Sequence, residues 1–405
     1  MTEPTTEPYN ALYSPPYPPD SALAVYLHIP FCRTRCSYCA FNTYTNLENL
    51  IEPYIQALQH EITLVAGQTQ PMAHTIYWGG GTPSLVPVPY LEAVLKTCAA
   101  VFSLSPDLEI TLEANPGTVS IDYLCALRQA GINRLSLGMQ SANRDELKLF
   151  ARRHQIDDVA STVEQARAAG FVNINLDLIY GIPYQTLAQW QHSLETAIRL
   201  NTPHLSLYSL TIEDATPMQR QVTNGKLSTP DPDLAADMYE WASEQLEAAG
   251  FAQYEISNWA RPGFACQHNV HVWRGLPYLG LGAGAHGCAH HTRYVNVLYP
   301  TTYIERINAQ SQPIPFPLSA AADEIEHLDE QGEIAETMIL ALRLLEEGLS
   351  LDTFRARFGR DLWEVYGPAL DRLIGLGLVQ YTPDRRVCLT LRARLLSNYV
   401  FREFI

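Results

Sequence analysis

The run Ala24-Val-Tyr-Leu-His-Ile-Pro-Phe-Cys32-Arg-Thr-Arg-Cys36-Ser-Tyr-Cys39-Ala-Phe41 joins a strand-forming segment to a cysteine-rich loop. Residues 24–29 are apolar and rich in β-branched and aromatic types, which favour a strand. The loop that follows has the spacing Cys-x3-Cys-x2-Cys. Three thiolates on one tight loop suit an iron–sulfur cluster, because its irons favour soft sulfur ligands. With three protein ligands, one iron of a four-iron cluster stays open to a small molecule. A structural zinc site is the rival reading, and His28 can supply the fourth ligand that zinc requires.

Five further strand-like runs follow downstream: Thr75–Trp78, Glu109–Leu112, Arg134–Leu137, Asn173–Ile179 and His204–Leu210. Between and after them lie segments of helical periodicity, at Leu50–Val65, Tyr90–Ala100, Asp122–Ala130, Val159–Ala169, Leu187–Leu200 and Leu234–Ala249. Gly67, Gly131, Gly170 and Gly250 stand where left-handed C-caps are expected. Strand and helix alternating in this way predict right-handed βαβ units and a parallel sheet. The number of units falls short of an eight-stranded barrel, so the pattern leaves an incomplete barrel or an open doubly wound sheet. In either, chemistry belongs where strands end and loops begin.

Those ends are polar or glycine-rich. Strand two runs into Gly79-Gly80-Gly81-Thr82-Pro83, whose glycines let a ligand approach the backbone. Strand three ends in Glu113-Ala-Asn115-Pro116 and strand four in Gly138-Met-Gln140. Asp177 lies in strand five, and Arg152 follows Gln140 at a short distance. A single polar strand end is commonly a cap, but several on one rim argue for a binding site.

The chain of 405 residues carries a formal charge of −16, which counts against a general nucleic-acid binder. An apolar share of 47% with 17% charged residues marks an ordinary globular chain able to bury a core. Six prolines within residues 1–20 make residues 1–21 a flexible leader. Residues 22–250 hold the alternating strand–helix units, expected as a partial barrel or an open sheet, 251–315 a connecting segment rich in Gly, His and aromatics, and 316–405 a helical, winged-helix-like domain. The first Lys or Arg is Arg33, so a signal peptide's positive n-region is missing. No run approaches the ~18 apolar residues of a membrane span. The expected setting is the cytoplasm, where eight cysteines read as metal ligands or buried thiols rather than disulfides.

The Cys-x3-Cys-x2-Cys run resembles the hallmark of the radical S-adenosylmethionine (SAM) superfamily. That resemblance implies a [4Fe-4S] cluster on Cys32, Cys36 and Cys39, with SAM chelated to its open iron and cleaved on one-electron reduction. It also assigns Glu113 to the SAM amine, Arg152 to its carboxylate and Asp177 to the ribose hydroxyls. The segments Tyr26–Cys32, Trp78–Pro83, Arg134–Gln140 and Asp177–Pro183 are similar to the oxygen-independent coproporphyrinogen III oxidase family. Family residues matching here for SAM contact are Tyr26, Tyr38, Gly80, Gly81, Thr82, Glu113, Gln140, Arg152 and Asp177. The implied fold is α/β, an incomplete (β/α)6 TIM-like barrel with a C-terminal mainly helical domain.

Two features separate the branches of that family. Oxidases carry a fourth cysteine two residues after the third, and here that position is Phe41. Cys266-Gln-His268-Asn269-Val-His-Val-Trp273 is similar to the His-Asn-x-x-Tyr-Trp motif of the heme-chaperone branch, with Val272 in place of Tyr. The resemblance therefore implies a protein that binds heme or a porphyrin and passes heme to an acceptor hemoprotein or cytochrome. A reductant such as flavodoxin or ferredoxin is implied with it. The alternative is the oxidase itself, an oxidoreductase that decarboxylates coproporphyrinogen III. Five of the 12 histidines fall between positions 268 and 291. Imidazole and thiolate both ligate heme iron, which makes His268 the first candidate and Cys266 the second. Asn269 and Trp273 complete the candidate heme motif.

Overall fold

The computed structural model describes residues 22–67 and 69–405, so the expected leader lies outside the described residues. Its first half alternates as the sequence predicts. The elements are β1 (Leu23–Ile29), α1 (Ile51–Ala66), β2 (Met72–Gly80), α2 (Val88–Val101), β3 (Ser103–Ala114), α3 (Ile121–Gln129) and β4 (Arg134–Gln140). They continue with α4 (Arg144–Leu149), α5 (Ile156–Ala168), β5 (Asn173–Tyr180), α6 (Leu187–Arg199), β6 (His204–Ser209), α7 (Pro217–Thr223) and α8 (Pro232–Ala248). Strands β1 to β6 are parallel neighbours in chain order. A doubly wound sheet reverses its strand order at a switch point. This order does not reverse, which decides for the incomplete barrel.

The strands have two unlike faces. Val25, Leu27 and Ile29 pack with Ile55, Leu58 and Ile62 of α1, while Tyr26 and His28 alternate with them on the opposite face. The other strands repeat this. Glu113 lies beside Ser136, Ser136 beside Asn175, and Asp177 beside Ser206. Outside the strands, apolar side chains meet the helices; inside them runs a polar lumen.

Gly131, Gly170 and Gly250 take the expected left-handed caps, at φ 101°, 90° and 82°. Gly67 does not. Its φ is −62°, and its N–H continues the helical pattern to Thr63 O at 3.0 Å. A Cβ there would meet that carbonyl oxygen at 2.5 Å, so close approach, not handedness, calls for glycine.

The sheet does not stop at residue 250. It takes in β7 (Ala252–Glu255), β8 (Asn258–Ala260), β9 (Tyr278–Leu281), β10 (His286–Ala289), β11 (Thr292–Asn296) and β12 (Ala322–His327). The full order is β12-β11-β10-β9-β1-β2-β3-β4-β5-β6-β8-β7, twelve strands in all, and β12 lies past the expected boundary at 315. Residues 251–315, the expected connecting segment, also hold α9 (Gln267–Trp273) and α10 (Pro300–Ala309). Beyond the sheet come α11 (Glu330–Ala341), β13 (Leu349–Ser350), α12 (Leu351–Phe358), α13 (Leu362–Gly375), β14 (Val379–Tyr381), β15 (Arg386–Leu389) and α14 (Ser397–Phe401). The antiparallel set β13-β15-β14 beside three helices has the composition of a winged helix. It encloses a second core built on Leu342, Phe354, Leu370 and Val387. No helix among the described residues is long and apolar enough to cross a membrane.

Candidate functional site

The cysteine loop leaves β1 at its C-terminal end and returns in a short parallel pairing of Phe31–Cys32 with Tyr44–Thr45. Tyr44 N–H donates to Pro30 O at 2.7 Å, and Cys39 N–H to Cys36 O at 3.3 Å, so backbone bonds fold the loop tightly. All three thiols are free and half-buried. Burial pushes the Cys32 thiol up to about 11, and the neighbouring Cys39 and Cys36 add to it, while Thr82 and Arg152 oppose. Thiols that repel one another's charge in a poorly solvated loop call for a cation to hold them as thiolates, which fits a cluster. Among the described residues no three His, Cys, Asp or Glu side chains gather around the position of one ion. His28, the fourth ligand zinc would need, has both ring nitrogens engaged: Nδ1 with Tyr26 OH at 3.1 Å and Nε2 with Asn42 O at 2.9 Å. Burial, and secondarily the His286 charge, hold its pKa down to about 4 against the opposing bond to Asn42 O.

Around the loop stand the other predicted residues. Thr82 Oγ1 lies 3.5 Å from Cys32 Sγ and accepts from Asn115 Nδ2 at 3.2 Å. Arg152 donates through Nη1 to Asn115 Oδ1 at 2.6 Å and through Nη2 to Tyr38 OH at 3.0 Å. Its buried Nε has no partner among the described residues, which leaves a donor for an anionic group. Gln140 holds φ at 63°, and a Cβ on Gly138 would meet its Nε2 at 2.6 Å and Arg152 Nη2 at 3.0 Å. Gly138 is thus glycine so that these two side chains can cross it. Gly80, at φ 109°, makes the same allowance for the His28 ring at 2.5 Å, and Gly81 for the Ile29 and Phe31 carbonyls.

Glu113 and Asp177 face the lumen together. Burial first, and Asp177 second, push Glu113 up to about 7, although Tyr77 OH donates to its Oε1 at 2.9 Å. Asp177 is raised by burial and accepts from Ser136 at 3.0 Å and Asn175 at 2.8 Å. Tyr26 stacks on Tyr77 with ring centres 6.2 Å apart. The nine predicted SAM residues and the three cysteines therefore share one end of the barrel. Asn115, Tyr77 and Gly138 belong with them and were not assigned from sequence.

The predicted heme residues do not form an accessible site. Cys266 is fully buried, with Sγ 3.5 Å from Glu109 Oε1, and its thiol is pushed up to about 12. His268 is buried, with Nδ1 2.8 Å from Thr75 Oγ1 and burial holding its pKa down to about 3. Both atoms thus lie inside the barrel, on its floor and away from solvent. Asn269 sits half-buried beside them on α9. Trp273 packs its ring under Arg343, 4.2 Å from the guanidinium carbon, at the contact with the C-terminal domain. Val272, where the branch motif has Tyr, lines a pocket at the same contact with Tyr278, Cys288 and Arg293.

One sequence signal for the floor went unused. Parallel strands buried on both faces read as continuous apolar runs. Here Thr75-x-Tyr77, Glu109-x-Thr111-x-Glu113, Asn175-x-Asp177 and His204-x-Ser206 place polar residues at every second position. That alternation marks a hydrated or ligand-filled lumen.

Residues 26–197 match the radical SAM superfamily, and residues 328–396 match the HemN C-terminal domain. A protein named heme chaperone HemW from Mycobacterium tuberculosis is 39% identical over 391 residues, covering 96% of each chain. The protein of that name from Bacillus subtilis is 38% identical over 94% of this chain and 99% of its own. Its Escherichia coli counterpart is 34% identical over 89% and 93%. Among solved structures, coproporphyrinogen III oxidase (HemN) from Escherichia coli superposes with a TM-score of 0.81 over 95% of this chain and 90% of that chain. At 24% identity, that likeness shows the shared fold. Identity above one third across nearly the whole chain, together with the cysteine loop and the rim around it, places this protein in the HemW family of the radical SAM superfamily.

Proposed function

We propose that this chain is a heme chaperone: it carries a [4Fe-4S] cluster and SAM, binds heme and delivers it to an acceptor hemoprotein. The observation that carries the cofactor reading is that one loop with three half-buried thiols shares a barrel end with Arg152, Glu113 and Asp177. Cys32, Cys36 and Cys39 hold the cluster. Arg152, with its spare donor, takes the SAM carboxylate, Glu113 the amine and Asp177 the ribose. Tyr26, Tyr38, Gly80, Gly81, Thr82 and Gln140 line the same pocket. When bound, the reduced cluster supplies an electron to the SAM sulfonium. Arg33 and Arg35 are exposed on this loop of an otherwise acidic protein and suit a flavodoxin or ferredoxin as reductant. Eight free cysteines agree with a cytoplasmic setting.

Heme delivery rather than decarboxylation is supported by Phe41. It is 67% exposed where oxidases carry a further cysteine. With His268 and His271 buried, His286 and His290 are the exposed imidazoles of the histidine-rich segment, and an axial ligand to cargo iron is sought there.

The test is anoxic reconstitution with iron and sulfide, followed by SAM with heme or coproporphyrinogen III offered separately. Stoichiometric heme binding with no decarboxylated product is expected. Decarboxylation of coproporphyrinogen would overturn the chaperone reading. Cys36→Ala should lose the cluster's visible absorbance and keep a soluble fold, and retention of full iron and sulfide would refute the ligand assignment.

A further inference from the structure

We infer that α9 acts on the cofactor pocket from beneath, with His268 and Tyr254 as positioning residues for its two carboxylates. The inference rests on the SAM reading proposed above. It follows from two chains of contacts that both start at the N-terminal end of α9.

The first chain reaches Glu113. Thr75 Oγ1 fixes His268 Nδ1 at 2.8 Å inside the barrel. The imidazole then lies against the Tyr77 ring, centre to centre 5.0 Å, and against Tyr26 at 6.4 Å. Tyr77 OH donates to Glu113 Oε1 at 2.9 Å. The ring of His268 is thus the surface that sets where Tyr77, and with it the Glu113 carboxylate, can stand.

The second chain reaches Asp177. Cys266 N–H donates to Tyr254 OH at 3.3 Å, and that hydroxyl meets His204 Nε2 at 2.9 Å. His204 Nδ1 lies 2.6 Å from Asn175 Oδ1, and Asn175 Nδ2 donates to Asp177 Oδ1 at 2.8 Å. A carboxylate only accepts, so Asn175 must present its amide nitrogen to Asp177 and its oxygen to His204. His204 Nδ1 therefore carries the proton, and Tyr254 donates to Nε2. Every donor points the same way, toward Asp177.

The start of α9 is itself clamped. Glu109 accepts from Gln267 N–H and His268 N–H, each at 3.1 Å. Clamped backbone, a ring packed at a tilt on Tyr77 and relayed hydrogen bonds leave the helix no slack against the pocket. The His-Asn motif accordingly reads as cofactor positioning rather than heme ligation.

The experiment uses cluster-reconstituted full-length protein under anoxia, with SAM, methionine and 5′-deoxyadenosine as separate calorimetric probes. Losing one oriented hydrogen bond to a charged group corresponds to about a tenfold change in affinity. His268→Ala should weaken SAM and methionine about tenfold and leave 5′-deoxyadenosine unchanged. Tyr254→Phe, which alters one oxygen, should weaken SAM and 5′-deoxyadenosine and leave methionine unchanged. His268→Asn, which restores a partner for Thr75, should recover part of the methionine affinity. Heme stoichiometry and cluster absorbance should stay at wild-type values throughout. Unchanged SAM affinity in both variants, equal weakening of both fragments, or loss of heme in His268→Ala with SAM intact would each overturn the inference. Failure of wild-type protein to bind SAM would instead overturn the cofactor reading on which it rests.

Discussion

Glu113 is a buried carboxylate held at a cost to the empty fold, in the position proposed above for the SAM amine. Burial, then the Asp177 charge, raise its pKa to about 7, against the opposing effects of Tyr77, the Gly80 backbone and Arg134. A carboxyl raised above its unfolded value of about 4.3 makes the folded state bind more protons, so stability falls as pH rises between the two values. Glu113→Gln removes that charging cost, and its amide oxygen still accepts from Tyr77. The substitution should therefore raise the melting temperature of the SAM-free protein at pH 8 and change it little at pH 5. It should also abolish pairing with the SAM amine and weaken SAM binding by at least tenfold, since a charge-assisted bond is worth about 1.5–3 kcal/mol. Thermal melts at the two pH values check the first part and calorimetry with SAM the second. A melting temperature lowered at pH 8 would mean the carboxylate stabilises the empty pocket.

The elements were legible to the degree that their sequence carried a period. Strands β1 to β6 and their helices show apolar repeats and Gly stops, and they stand where those signals place them. The extension β9 to β12 does not, because its strands are short and the pairing that attaches it to the barrel is distant in sequence. Tyr278–Leu281 pairs with β1, some 250 residues earlier, and nothing local in Tyr-Leu-Gly-Leu announces that. The same holds for Glu61, which in sequence is one acidic residue in an amphipathic helix. In the fold it is 1% exposed and accepts from Gly282 N–H at 2.8 Å, Asn296 Nδ2 at 3.0 Å, Tyr303 OH at 2.7 Å and Ser319 Oγ at 2.7 Å. One carboxylate on α1 thereby ties down the whole extension. Glu61→Ala leaves four buried donors to find other partners, and each unsatisfied donor costs about 1–3 kcal/mol. Denaturant unfolding should show a loss of at least 3 kcal/mol on that scale. A loss below about 1 kcal/mol would mean the extension is held by its strand pairing alone.

At the scale of the molecule, two hydrophobic cores share no residue: one fills the space between sheet and outer helices, the other lies within the C-terminal domain. Ile256 packs against the second core, and polar contacts also join the two. Arg274 pairs with Glu347 at 2.9 Å, Arg343 reaches Glu255 at 3.4 Å while covering Trp273, Arg357 donates to Gly275 O at 3.2 Å, and Arg394 donates to Gln253 at 2.6 Å. Interfaces of this kind leave domains able to unfold separately: the partly exposed Arg274–Glu347 pair contributes about 0–1 kcal/mol, and the tie to the buried Glu255 carboxylate is a single one. Trp273 and Arg274 nevertheless end the helix whose first turn is held by Glu109 inside the barrel, so the two domains are linked through α9. Calorimetry of the reconstituted protein should resolve two transitions, the larger from the barrel. SAM at a hundred times its dissociation constant should stabilise the barrel by about 2.7 kcal/mol and leave the second transition nearly in place. In Arg274→Ala the transitions should separate further while the SAM-induced shift is kept. A single transition that moves as one with SAM would show that the polar contacts bind the domains more strongly than their exposure allows.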